Sequence, residues 1–267
     1  MNKKTVFAYI VLIGCIALLI GSYMQWKEKT SSFQGGASEQ ITTETAPTDK
    51  IEQPLKPELE VERLLTLTNH VDESVQDVFI KRLEANEKVN FLIAGSTSME
   101  DGAPGYAEQL SSALEEAYGD FIEVTIEAFD KTSDLFIQNL STEIDFDKGF
   151  DVVLFEPFTL NNNGEVSIDD EHQHIKIFQE RLKEETEDAV VVLHPPNPIH
   201  AASYYPTQVS ALNSFAESAG IPYIDHWKQW PDPDTDEIND YLDDNGSPNK
   251  EGAEVWANVL IEYFVGK

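Results

Sequence analysis

Short apolar runs alternate with amphipathic stretches over most of this chain. The runs fall at residues 89–94, 121–128, 151–155, 189–193 and 222–224, each of a length and composition that suits a buried strand. Between them, apolar residues recur at helical spacing. Leu110, Leu114 and Ala117 make one stripe, Ile175, Phe178 and Leu182 a second, Val209, Leu212 and Ala216 a third, and Trp256, Val259, Leu260 and Tyr263 a last. A further helix over 71–83 would turn Val71, Val75, Val78 and Phe79 inward. Strand and helix in regular alternation predict an α/β domain with a five-stranded parallel sheet, covered by helices on both faces and joined by right-handed crossovers. Functional loops in such a sheet sit at the carboxyl ends of the strands, which is where chemistry is sought.

The pattern changes at the amino terminus. Residues 5–24 are mostly apolar and uncharged and follow Lys3 and Lys4, so segment 1–26 is expected to be a membrane-spanning anchor with its N-terminus in the cytoplasm. A cleaved signal peptide is the first alternative, and a lipoprotein is the second, because Leu12-Ile13-Gly14-Cys15 fits a lipobox. Residues 27–60, rich in Ser, Thr, Gln, Glu and Pro, read as a disordered polar linker. The folded domain is then expected over 61–267, outside the membrane.

Composition narrows the partners. The 267 residues are 41% hydrophobic, enough for a sizeable core, and the net charge of −31 argues against nucleic acid. Solubility in a salty or alkaline medium is the simplest account of that charge. Cys15 is the only cysteine, so the domain has neither disulfide nor thiol and must be held by its core.

The strand at 89–94 runs directly into Gly95 and Ser96. A serine mounted on a glycine turn at a strand end, with a helix beginning close behind, is well placed as a nucleophile beside backbone amides. Helix capping is the plainer role for such a serine. Three other segments bear polar residues at expected strand or helix ends. Phe129-Asp130-Lys131-Thr132-Ser133 follows the second strand, Thr159-Leu160-Asn161-Asn162-Asn163-Gly164 follows the third, and Asp244-Asn245-Gly246-Ser247-Pro248-Asn249-Lys250-Glu251-Gly252 precedes the last helix.

Taken together, Ala94-Gly95-Ser96-Thr97-Ser98, the Thr-x-Asn-Asn segment and the Asp-x-x-Ser-Pro-Asn-x-x-Gly segment resemble the blocks of the SGNH, or GDSL, hydrolase superfamily. The resemblance implies a three-layer, flavodoxin-like α/β/α fold. It also implies that Ser96 is the nucleophile, that Asn161 and the amides of Ser96 and Asp130 form the oxyanion hole, and that Asp244 orients the catalytic base. Asp130 stands where the family has a glycine, and Ser247 where it has the catalytic histidine. A serine hydroxyl cannot take a proton as imidazole does near neutral pH.

His194, His200 and His226 follow expected strands four and five and are candidates to replace that base. His226, beside Asp225, is the first choice. His172 and His174, two apart on a helix, cannot share a face. Tyr204, Tyr205, Trp227 and Trp230 offer either a sugar-stacking groove or packing at the sheet edge. The acidic run 232–237 lacks the glycine and terminal glutamate of an EF-hand, and no phosphate loop or zinc-protease sequence is present. No cofactor or metal is expected. The implied function is hydrolysis of acyl or acetyl esters, on a small molecule or an envelope polysaccharide. A non-catalytic module binding a glycan or acyl ligand is the alternative, and the sequence leaves the oligomeric state open.

Overall fold

In the structure, a computed structural model, residues 57–266 are described. The expected span over 5–24, Cys15 and most of the linker lie outside the described residues. Four parallel strands, β1 (Val89–Ser96), β2 (Ile122–Phe129), β3 (Val152–Phe155) and β4 (Val190–Leu193), form one sheet in the order β2-β1-β3-β4. Side chains alternate across it. Phe91, Ile93, Leu154 and Val192 enter one core, while Leu92, Ala94, Val153, Phe155 and Val191 enter the other, as the two-residue period of a strand buried on both faces requires.

Each core is closed by its own helices. Helices α1 (Pro57–Leu67), α2 (Glu73–Glu84), α3 (Tyr106–Tyr118) and α8 (Lys250–Val265) bring Leu64, Phe79, Leu110, Trp256 and Leu260 to the first face. On the second face, α4 (Ser133–Gln138), α5 (Leu140–Glu143), α6 (Ile168–Glu185) and α7 (Tyr205–Ala219) bring Phe136, Leu140, Phe178 and Leu212. The expected stripes are therefore core contacts.

Two expectations need correction. The fifth strand, expected at 222–224, is reduced to a single parallel bridge between Leu193 and Tyr223, held by bonds from Leu193 N to Pro222 O and from Ile224 N to Leu193 O, both 2.8 Å. Pro222 has no N–H to give to a ladder, and β4 itself runs into Pro195 and Pro196 directly after His194. The folded part also begins earlier than residue 61: α1 starts at Pro57, inside the segment read as linker. Its buried Leu64 explains why it packs, although the surrounding sequence is polar. Among the described residues, no helix is long and apolar enough to cross a membrane.

Candidate active site

Ser96 ends β1 at the carboxyl edge of the sheet, 2% exposed, and its hydroxyl has no well-formed hydrogen bond. Its amide is not free. Ser96 N donates to Glu156 Oε2 at 2.8 Å, and Phe158 N donates to Glu156 Oε1 at 2.7 Å. Glu156 directly follows β3 and is 1% exposed, and burial raises its pKa against the pull of these hydrogen bonds. Gly95 makes the approach of the two strand ends practicable, because a Cβ there would stand 2.7 Å from the Glu156 Cβ.

The second amide is delivered at a local cost. Phe158 adopts φ 64°, a left-handed conformation that an ordinary L residue holds only under constraint. The constraint is its ring, fully buried among Phe129, Phe136 and Phe155 with centroids 6.4, 5.0 and 5.9 Å away. Aromatic packing in the second core thus aims a backbone donor at a carboxylate in the site.

A second buried carboxylate lies behind the first. Glu171 on α6 accepts from Thr159 Oγ1 at 2.9 Å and from Asn162 Nδ2 at 2.6 Å, and burial holds its pKa at about 7. The same Asn162 accepts from Ser133 N at 2.9 Å, which ties the loop after β2 to the loop after β3. Asn162 is fully buried and serves this network, whereas Asn161 beside it is half-buried. Asp130 is exposed, and Lys131 pairs with Glu143 at 2.6 Å, so that lysine is engaged elsewhere.

None of the histidines is hydrogen-bonded to the Ser96 hydroxyl. His226, the first choice, is fully buried: its Nδ1 accepts from Trp230 Nε1 at 2.9 Å, which leaves Nε2 to donate to Pro195 O at 2.8 Å. Neither nitrogen remains for Ser96, and burial pulls its pKa down to about 3. Asp225 turns to Lys228 instead. His194, also fully buried, has Nδ1 on Pro195 O and Nε2 3.5 Å from the Tyr106 hydroxyl, and burial with the neighbouring His226 drives its pKa well down. Both rings belong to an aromatic block with Tyr106 and Trp256, where His226 stacks on Trp256 at 4.6 Å. His200 lies 3.5 Å from exposed Asp236. His172 stacks on Phe215 while His174 bonds the Ser133 hydroxyl at 2.9 Å, so those two do face apart.

In the last block, structure accounts for most of the motif. Asp243, not Asp244, organises the turn: its Oδ1 accepts from the Asn245 and Ser247 amides at 2.8 and 3.0 Å, and these bonds, Asn245's foremost, lower its pKa. Asp244 is exposed. Asn249 caps α8 through Gly252 N at 3.1 Å and reaches back to Asp240 O and Leu242 O. A Cβ on Gly252 would stand 2.2 Å from Tyr241 O. Gly102 packs on Asn249, and Asn197 Nδ2 donates to Gly246 O at 3.0 Å, so the loops after β1 and β4 both meet this turn. Of the aromatic residues, Tyr205 and Trp230 are buried packing, and Trp227 bonds Pro196 O, leaving Tyr204 exposed.

Similar architecture recurs among solved structures. A GDSL-like lipase from Parabacteroides merdae aligns with a TM-score of 0.55 at 11% identity, over 67% of this chain and 97% of that one. A lipolytic protein of the G-D-S-L family from Desulfitobacterium hafniense gives 0.53 at 16%, over 66% and 99%. An acetylxylan esterase from Geobacillus stearothermophilus gives 0.51 at 13%, over 66% and 94%. This chain has the GDSL hydrolase fold. No family model matches the sequence, and no curated protein matches it significantly.

Ser96 stands at the carboxyl end of β1 with its hydroxyl without a hydrogen-bond partner and a carboxylate on its amide. That amide is therefore not open to an oxyanion, contrary to the role expected for it. Glu156, Glu171 and Asn162 were not singled out in the sequence as members of the site. The first left a signal, a glutamate set directly between an apolar strand and a proline. Glu171 left none, because acidic residues in a first helical turn are ordinary.

Proposed function

We propose that this domain is a serine ester hydrolase, held outside the membrane by its N-terminal segment, that removes acyl or acetyl groups from an envelope polysaccharide or a smaller ester. The observation that carries the reading is the Ser96 hydroxyl, buried and without a hydrogen bond, at the carboxyl end of β1 of a GDSL fold. Ser96 attacks the ester carbonyl to give an acyl-enzyme, which water then releases. Asn161 and the Asp130 amide are the proposed oxyanion donors, since Glu156 holds the Ser96 amide. An acetyl ester of a glycan is the favoured substrate because a structure of the same fold is an acetylxylan esterase.

A second reading is a module that binds the same ligand without turning it over. It is favoured by the absence, among the described residues, of any group hydrogen-bonded to the Ser96 hydroxyl, and by serine at position 247. Hydrolysis of short acyl esters by the full chain in detergent separates the two. The enzyme reading expects turnover that falls by about 10³-fold or more in Ser96→Ala. A silent wild type with an active Ser247→His variant would mark a scaffold that lacks only its base. Silence in both would leave binding as the function.

A further inference from the structure

With both rings of the aromatic block engaged, the Ser96 hydroxyl has one ionisable neighbour that the hydrogen bonds define. Glu156 places Oε2 2.8 Å from Ser96 N, on the same residue. The hydroxyl makes no well-formed bond, yet it lies near enough to the carboxylate to favour its charged form. None of the ion pairs among the described residues includes Glu156, so no cation neutralises it. The ionisable groups near enough to feel its charge are Glu171 on α6, Tyr106 on α3 and Tyr205 on α7, with His194 packed on Tyr106. Glu171 is likewise buried without a cation, but its oxygens are taken by Thr159 and Asn162, whereas Glu156 adjoins a serine hydroxyl that has no hydrogen-bond partner.

We propose that Glu156 is the proton acceptor for Ser96, in the place of the imidazole missing from the last block. The inference rests on the hydrolase reading and deepens it. In the first half-reaction the Ser96 O–H bond breaks as Oγ bonds the ester carbon, the proton passes to Glu156, and the carbonyl electrons move onto oxygen. Negative charge leaves Glu156 as it appears on the tetrahedral oxygen, so the two do not repel each other at the transition state. On collapse the carbon–alkoxy bond breaks, and Glu156 returns the proton to the departing alcohol. In the second half-reaction Glu156 takes a proton from water, hydroxide oxygen bonds the acyl carbon, and the proton returns to Ser96 as the acid leaves. Burial, which raises the proton affinity of Glu156, suits it to accept that proton.

The test follows p-nitrophenyl acetate turnover and fluorophosphonate labelling of Ser96 by intact mass, with the full chain in detergent. Glu156→Gln removes the base but keeps only one of the two amide acceptors, so kcat per folded molecule is expected to fall by about 10²–10⁴-fold, beyond what the accompanying drop in melting temperature explains. Wild-type kcat/KM is expected to rise with pH through one ionisation above the ordinary glutamate value of about 4.3, and that ionisation to vanish in Glu156→Gln. Added formate should restore part of the rate of Glu156→Ala. If Glu156→Gln turns over like wild type while Ser96→Ala is dead, the inference fails and the hydrolase stands. Absence of any Ser96-dependent turnover or labelling in wild type sinks both. Should the Gln variant not fold, a wild-type profile flat across this range, or no formate rescue, overturns the proposal.

Discussion

The two ends of β3 carry buried carboxylates under opposite conditions. Asp151, just before the strand and 2% exposed, receives Arg82 through Nε at 2.9 Å and Nη2 at 2.6 Å, and the Asn90 amide at 2.9 Å. Glu156, just after the strand and 1% exposed, receives the backbone amides of Ser96 and Phe158 and no Arg or Lys among the described residues. A paired charge fastens α2 to the lower edge of the sheet. The other, at the carboxyl edge of the sheet, has no such partner, and burial raises its proton affinity. Position along one short strand therefore separates a paired carboxylate from one without a cation, the group proposed as the base.

The contrast can be broken at either end. Arg82→Ala should have the largest effect on stability, about 4 kcal/mol, because it leaves Asp151 buried and unpaired. Urea unfolding would measure it, and turnover per folded molecule should stay at the wild-type level. A loss near zero would mean that Asp151 finds water or another donor, and that the pair does not fasten α2.

Glu171 sharpens the upper end through pH. Its folded pKa of about 7 lies above the ordinary value, so it contributes stability that is fully present below the unfolded pKa and is lost as pH rises through 7. The shift from 4.5 to about 7 corresponds to roughly 3 kcal/mol over that window. Between about pH 4 and about pH 8, wild type should lose that much more stability than Glu171→Gln, whose side chain carries no titration. Parallel curves for the two proteins would show that Glu171 is not desolvated.

The smallest effect tests the fit between β1 and β3. Gly95→Ala sets a methyl 2.7 Å from the Glu156 Cβ and should lower stability by about 1–3 kcal/mol. It should also push Glu156 off the Ser96 amide and reduce turnover beyond what the lost stability explains. Melting and activity measured together decide this, and an active, wild-type-stable Gly95→Ala would mean that the strand ends have slack.

Alternation of apolar and amphipathic segments by itself determined the class of fold, the strands at 89–94 and 151–155 and the inward faces of the helices, because periodicity is a local property and burial follows it. Local order also put Ser96 at a strand end. It overstated the fifth strand, where the missing N–H of Pro222 counts for more than the apolar run around it. His226 looked like a base because Asp225 adjoins it, yet adjacent side chains point apart, and the ring went to Trp230 and Pro195. Only the tertiary structure decided that Glu156 meets Ser96, since the pair lies 60 positions apart and is brought together by parallel strand register. The same holds for Asn162, which looked like a loop residue and joins two loops. Hydrogen bonds across a sheet depend on which strands become neighbours, and no local pattern of residues carries that information.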